Sequence, residues 1–461
     1  MKTLSSARFG SIVAALAVLL FGGGEAQARI DGLTGTTFNL VASEANIVTG
    51  DANTIYAWGY ADASTGTMQY PGPTLIVNQG ANVVINLSNT LPGQVPVSIV
   101  FPGQQGVTAT CTSATNCADG LLTKEVQPGG TVQYAFVASQ PGTYRYHSGT
   151  KPSLEVDMGL IGAIIVRPAG FDASTPSGTP SATRKAYTQT GTAYEREFLF
   201  MLTDMDSVIH DRMYTLANNA RLSGTPIDLS TIDTSAFYAT LWFINGRNSP
   251  DTLVDAGAWW LPNQPYNAAP IMHPGEKVLI REIGGGRDMH PFHHHGAHML
   301  PIARDARVLS SNPSDSTLAP DLTSADFTIR SIPGQTIDLI FEWTGKNIGW
   351  DIYGTNNNHT CTPGADGHDA TTHEWCADHG KPFPVVLPNQ QDVQFGEYYS
   401  GGPYLGQFGI LPQGHPGLNE NGGYFHIWHS HNEKEITTNN VFPGGMKTFL
   451  IIEAPNVPIS D

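Results

Sequence analysis

The sequence predicts an all-β protein of two packed β-sandwiches, on three observations. Glycine (50) and proline (32) are plentiful, charged residues make up only 14%, and no long helical period appears, which favours short strands joined by tight turns. Apolar alternation falls into two series, separated by a stretch rich in Pro, Ser, Thr and Gly at residues 169–193. The length of 461 residues allows two or three domains, and two strand series make two the expectation. The expected boundaries are 1–28 for an export signal, 29–168 for the first sandwich, 169–193 for a linker and 194–455 for the second sandwich.

The order of elements follows from the pattern. Lys2 and Arg8 precede an apolar run from Ile12 to Phe21 and then Ala26-Gln27-Ala28, the layout of a cleaved signal peptide with the mature chain starting near Arg29. The run is shorter than the roughly 20 residues a membrane span needs, and no later stretch qualifies, so an exported periplasmic or extracellular protein without a span is expected. In the first series, Pro71-Gly72-Pro73 opens the strand Thr74–Val77, followed by Ala81–Leu87, Thr131–Val137, Gly142–His147 and Leu160–Val166. The second series runs Glu197–Thr203, Tyr238–Ile244, Glu276–Ile283, His298–Leu309, Phe327–Ile332 and Thr336–Trp343, and closes with Tyr424–His431 and Met446–Ile452. Between its last two pairs lies an irregular insertion at about residues 350–423. Loops of that length are uncommon and are usually functional or covalently stapled.

Charge and cysteine content narrow the function. A formal net charge of -17 excludes a nucleic-acid partner, which needs a basic patch. The four cysteines form two sequence-local pairs, and in an exported chain these are expected as disulfides, Cys111–Cys117 and Cys361–Cys376.

Histidines carry the chemistry. In His290-Pro291-Phe292-His293-His294-His295-Gly296, His293 and His295 stand two apart, and on an extended strand such residues point the same way. His429-Ser430-His431 repeats the arrangement near the C-terminus. Imidazole suits copper or zinc better than calcium or magnesium, so the two pairs together point to a transition-metal site. His294 should face away from its neighbours. His273, His298 and His426 are expected to be structural, and Glu433 and Glu435 to be solvated surface carboxylates, the alternative being hard oxygen ligands that would favour iron, manganese or zinc. His359, His368, His373 and His379 crowd the Cys361–Cys376 loop, either as an exposed polar segment or as an accessory cation site.

The segment His290–Gly296 resembles the H-P-x-H-x-H-G motif of multicopper oxidases, and His429–His431 sits where that family has H-C-H. Pro71-Gly72-Pro73-Thr74 and Gly142–Ser148 resemble its first-domain motifs, and two sandwiches make the chain most similar to the two-domain, laccase-like branch. The resemblance implies cupredoxin-like Greek-key sandwiches and copper as cofactor. It assigns His293 to a type 2 copper, His147 and His431 to one type 3 copper, and His295 and His429 to the other. His290 would correspond to a ligand of a separate type 1 copper.

Departures from the family matter equally. The family's first-domain H-x-H should fall near Ser98–Gly103, where no histidine occurs, and the second histidine of its first-domain strand is Gly149. At the type 1 position the cysteine is Ser430, the following histidine is Glu435, and the axial place falls on Asn440 or Met446. A serine hydroxyl cannot replace the soft thiolate of a blue copper site. The expectation is an exported copper-binding protein with a reduced type 2/type 3 cluster of His147, His293, His295, His429 and His431 and no type 1 copper. Its partners would be copper ions, and dioxygen or a small redox substrate, within a homotrimer. The alternatives are a non-enzymatic copper-tolerance protein and a copper-free scaffold.

Overall fold

The computed structural model describes residues 30–174, 176–179, 181, 183–351, 360–382, 401–403, 423–453 and 457–459. The expected signal segment, His359 and much of the insertion lie outside them. Among the described residues no helix is long and apolar enough to cross a membrane.

The first sandwich comprises β1 (Thr37–Val48), β2 (Thr54–Asp62), β3 (Gly72–Asn78), β4 (Asn82–Asn89), β5 (Thr131–Val137), β6 (Gly142–His147) and β7 (Ile161–Arg167). One sheet contains β2, β1, β4 and β5 in that order, and the facing sheet contains β3, β7 and β6. In β4 and β5, buried and part-exposed residues alternate, so one face of the sheet closes on the core. That core holds Trp58, Tyr60, Ile85, Leu87, Tyr134 and Tyr146.

The second sandwich follows with β8 (Arg196–Met205), β9 (Leu241–Ile244), β10 (Lys277–Gly284), β11 (His290–His294), β12 (Leu300–Arg304), β13 (Thr328–Ser331), β14 (Thr336–Glu342), β15 (Tyr424–Ser430) and β16 (Lys447–Ile452). Its inner sheet runs β9, β8, β10, β14, β12, and its outer sheet runs β16, β15, β11, β13. Both disulfides anticipated from the cysteine spacing are formed.

The inner sheet has apolar residues on both faces because it is covered twice. One face meets the second core, where Phe198, Phe200 and Val278 pack with Phe292 and Trp428. The other meets the first sandwich, where Ile161 and Ala163 of β7 cluster with Met201, Met205, Phe243 and Ile283. This explains why β8 is a nearly continuous apolar run rather than an alternating one.

Charged groups also cross that junction. The Arg167 guanidinium at the end of β7 donates to both carboxylate oxygens of Glu197 on β8, with Nη1 2.6 Å from Oε2. Arg281 on β10 lies 3.1 Å from Glu197 and 3.6 Å from Asp338. Thr143 on β6 donates to Asp338 at 2.5 Å. All four ionised residues are buried. Burial alone would raise the Glu197 carboxyl, but the two guanidiniums outweigh it and hold it at about 2.

The structure departs from the sequence pattern in several places: Thr37–Val48 and Thr54–Asp62 form strands that the pattern does not resolve, and three further departures lie beyond the linker. Ser207–Ser223 is a helix, α1, in a stretch with no helical period strong enough to read. Its start is capped by the Asp206 side chain, which accepts from Val208 N, and its end by left-handed Gly224 (φ 72°). Ile209, Met213 and Ala217 dock it onto the first core, yet the intervening polar residues hide that narrow stripe in the sequence. The expected strand His298–Leu309 is broken, because Asp305 and Ala306 take positive φ in a turn between Leu300–Arg304 and Arg307–Val308. The strand expected from Tyr238 begins only at Leu241.

Removing one member of a buried ion network leaves uncompensated charge, at a cost of about 3–5 kcal/mol. Glu197→Ala is therefore expected to lower unfolding free energy by that amount in urea titration. An unchanged midpoint would show the network to be energetically idle. With the Glu197 carboxyl depressed below its ordinary value, its stabilisation is complete above about pH 4.5 and is lost as pH falls through about 2.

Candidate metal centre

Four imidazoles are assembled by two neighbouring antiparallel strands. On β11 the alternation sends His290, Phe292 and His294 inward and leaves His293 facing out, with His295 following it. On β15 the same period sends Trp428 and Ser430 inward and His429 outward. The register sets His293 opposite His429 and Phe292 opposite Ser430. Past the last paired residues, His431 N donates to Pro291 O at 2.8 Å and Trp428 Nε1 to His295 O at 2.8 Å, which pins both strand ends.

The resulting cluster is tight. Ring centroids lie 4.3 Å apart for His293–His295, 5.0 Å for His293–His431, 5.3 Å for His295–His429 and 5.5 Å for His429–His431. His295 and His429 stack with their Nε2 atoms 3.1 Å apart. Two nitrogens bound to one ion at about 2.0 Å stand about that far from each other, so this pair already has the bite of a shared ion.

Supporting contacts hold the rings, and one of them fixes a tautomer. His429 Nδ1 donates to the Ser430 carbonyl at 2.7 Å, which leaves Nε2 as the lone-pair nitrogen turned toward His295. His293 Nδ1 bonds Thr328 Oγ1 at 2.5 Å. Burial, and then the neighbouring His431 and His429, push the His293 imidazole down to about 4, and burial lowers His429 as well. At neutral pH His293 is therefore uncharged, the form that binds metal.

His147 lies apart from this group. It ends β6 in the first sandwich, is buried, and bonds the Ser148 carbonyl through Nδ1 at 2.8 Å. It shares no ring contact with the four. Burial, with Arg145 adding, lowers it to about 4. Beside it, the place of the missing first-domain histidines is filled. Val100 bridges to His147, Ser98 Oγ accepts from Gly149 N at 3.2 Å, and a Cβ on Gly149 would stand 2.6 Å from the Val100 side chain.

His294 faces the core as the alternation requires, packed edge-on against Phe292 and Trp428. His426 is buried against Trp343 and Tyr424, and His298 packs on Phe327.

Glu435, expected on the surface, is instead buried behind the cluster. Its Oε2 accepts from Ser430 Oγ at 2.5 Å and lies 2.9 Å from His290 Nδ1. Asn432 Nδ2 donates to its Oε1 at 3.0 Å. On the far side of the ring, His290 Nε2 stands 3.4 Å from Asp204 Oδ2. Burial would depress His290, but the contacts to Asp204 and Glu435 outweigh it and raise the imidazole to about 9. A cationic ring clasped between two carboxylates thus occupies the position compared above with a type 1 site. Met446 sits alongside, its N–H donating to the Glu435 carbonyl at 2.7 Å. Asp204 had no signal in the sequence, being one more polar residue at a strand end.

Comparison with known proteins bears on this geometry. Residues 54–170 match the family model described as multicopper oxidase. Over that segment the chain is similar to multicopper oxidases. It is 35% identical over 130 residues to Multicopper oxidase MCE of Talaromyces pinophilus, covering 27% of this chain and 20% of that protein. It is 27% identical over 277 residues to the Copper resistance protein A homolog of Pseudomonas syringae pv. tomato, covering 55% and 40%. The chain thus spans less than half the length of either relative. Among solved structures, the multicopper oxidase mgLAC superposes with a TM-score of 0.50 at 18% identity, covering 92% of this chain and 88% of that one, a likeness of fold. Copper is the cofactor the multicopper oxidase family implies, and four converging imidazole nitrogens suit it.

The inward pocket generates a prediction. Because the folded state favours the His290 cation, its stabilisation is complete below about pH 6.5 and is lost as pH rises through about 9. Glu435→Ala strands that cation and should cost about 3–5 kcal/mol. Thermal melts of both proteins from pH 6 to pH 10 should converge at the alkaline end. Parallel curves would show that His290 is neutral throughout.

Proposed function

We propose that the chain is an exported, copper-binding multicopper oxidase homologue with a reduced type 2/type 3 cluster and no type 1 copper. The observation that carries this reading is the convergence of His293, His295, His429 and His431 on the outer face of one sheet, with His295 and His429 nitrogens 3.1 Å apart. His293 is the type 2 ligand, His295 and His429 hold one type 3 ion, and His431 with His147 serves the other. His147 ends a strand of the first sandwich and the four stand on the second, so it meets a neighbour's His431 in a homotrimer. Two disulfides support an oxidising, exported location.

Copper held there would supply one-electron chemistry toward dioxygen or a small redox substrate. The protein groups have separate tasks. Ser430 and Thr328 orient the rings, burial keeps His293 neutral, and Trp428 fixes the His295 carbonyl. The inner pocket, filled by His290, Glu435 and Asp204, offers no thiolate, so electrons do not enter through a blue copper. A second reading, a non-enzymatic copper-tolerance protein, is favoured by the similarity to the Copper resistance protein A homolog over 55% of this chain. Dioxygen uptake by copper-loaded protein supplied with a small reductant separates the two.

Replacing His293 and His431 together by Ala should abolish tight copper binding in calorimetric titration while the fold persists by circular dichroism. His290→Ala should retain it. The reverse pattern would place the metal elsewhere. Copper-loaded protein should show no intense blue absorption, since that band needs a copper–thiolate bond; its appearance would overturn the reading of Ser430. Light scattering of the metal-loaded protein should give three chains per particle, and a monomer would remove the assigned role of His147.

A further inference from the structure

The linker between the sandwiches helps to close a cavity that copper binding at the outer sheet leaves unused. It measures about 320 Å³ and lies at the junction, among the ends of β3 and β7, the linker and the start of β8. Ile30, Ile76 and Phe171 give it an apolar wall, and Arg167, Arg184 and Tyr194 give it polar groups. Cavities of this size at domain junctions are where small molecules are usually held.

The two arginines differ in how their charge is met. Arg167 is paired with Glu197, donates to the Tyr194 hydroxyl at 2.9 Å and lies over the Phe171 ring at 4.6 Å. Arg184 is 6% exposed, and among the described residues no carboxylate pairs with it. Its guanidinium makes one hydrogen bond there, from Nη1 to the Glu195 carbonyl at 2.8 Å. The Glu195 carboxylate is engaged elsewhere, accepting from Lys277 N at 2.6 Å. Arg247 shows what a buried guanidinium without a carboxylate otherwise needs: it donates to the carbonyls of Asp251, Val254, Asp255 and Gln264. Arg184 has a cavity beside it instead of such a set. A buried cation without matching acceptors is costly, and an anion in the cavity would remove that cost.

We infer that the cavity binds a small organic monocarboxylate, its carboxylate on Arg184 and its apolar body against Ile30, Ile76 and Phe171. A guanidinium presents paired N–H donors in the plane in which a carboxylate accepts them. Asp31, Glu195 and Glu197 line the same cavity, and the chain carries a formal net charge of -17, so a second negative charge on the ligand is disfavoured. That selects a monocarboxylate over a phosphate or a dicarboxylate. A ligand held there touches β3, the linker and β8, and so ties the linker to both sandwiches. The cavity shares no residue with the four imidazoles, and the inference stands whether or not they hold copper.

The test is calorimetric titration of the full, disulfide-intact chain with benzoate, using benzamide as its neutral counterpart. Wild type should bind one benzoate per chain and should bind benzamide about tenfold or more weakly, the loss expected when a charge-assisted bond becomes a neutral one. Arg184→Met should weaken benzoate by at least that factor. Ile76→Trp, which fills the cavity and leaves the guanidinium in place, should weaken both probes. Should Arg184→Met misfold by circular dichroism, Ile76→Trp and the ratio of the two probes on wild type decide the matter. Benzoate affinity unchanged by a folded Arg184→Met or by Ile76→Trp overturns the inference, as does the absence of benzoate binding to wild type at millimolar concentration. Inorganic phosphate that displaces benzoate and binds more tightly overturns the monocarboxylate class. Benzoate binding abolished by His293→Ala/His431→Ala would put the anion at the imidazoles and overturn the cavity. Loss of copper binding with benzoate binding retained would count against the proposed function alone.

Discussion

The pairing of His293 with His429 across β11 and β15 is the constraint on which the site depends. Side chains of a strand alternate strictly between its faces, so the register that puts these imidazoles outward also puts Phe292, His294, Trp428 and Ser430 inward. A slip of one residue would bury two imidazoles and expose Phe292 on one strand or Trp428 on the other. The hydrophobic core of the second sandwich therefore enforces the geometry of the four-imidazole cluster. Phe292 and Trp428 meet Phe200 edge-on, and that packing admits one register.

The two faces of this sheet have diverged in chemistry. Outside, neutral imidazoles present lone pairs at separations a metal ion can bridge. Inside, the same strands carry His290 and Ser430 toward Glu435, and the three form a charge-assisted chain that ends on Asp204. A proton on His290, bonded through Nδ1 to Glu435 and facing Asp204 across Nε2, takes the role of cross-link between β11 and the turn after β15. Nδ1 is occupied by Glu435 and Nε2 faces Asp204 at 3.4 Å, and a soft metal would find no thiolate there.

Much of this was legible in the sequence, because the signals were local. The spacing of His293 with His295 and of His429 with His431 fixes their shared face by strand period alone, and His294 is excluded by the same rule. Local cysteine pairs gave both disulfides. What was hidden depends on contacts between distant residues. Glu435 reads as a surface acid until the one-turn helix Glu433–Ile436 folds it under Ser430. Asp204 meets His290 only through the packing of the inner sheet on the outer one. Helix α1 buries so few large apolar residues that its period is lost among polar ones. In the insertion, the crowded histidines drew attention to the loop, but the carboxylates beside His379, Glu374 and Asp351, carry no pattern of their own.

The doubly covered inner sheet has a practical consequence for dissecting the protein. A fragment cut within residues 169–193 would keep every strand of the second sandwich. It would nevertheless bare Met201, Met205, Phe243 and Ile283 to water, and deprive Glu197 of Arg167. Such a surface is an apolar sheet face with an unbalanced buried charge at its rim, which favours self-association over solubility. The halves that look modular along the chain are, in three dimensions, a single object with a shared interior.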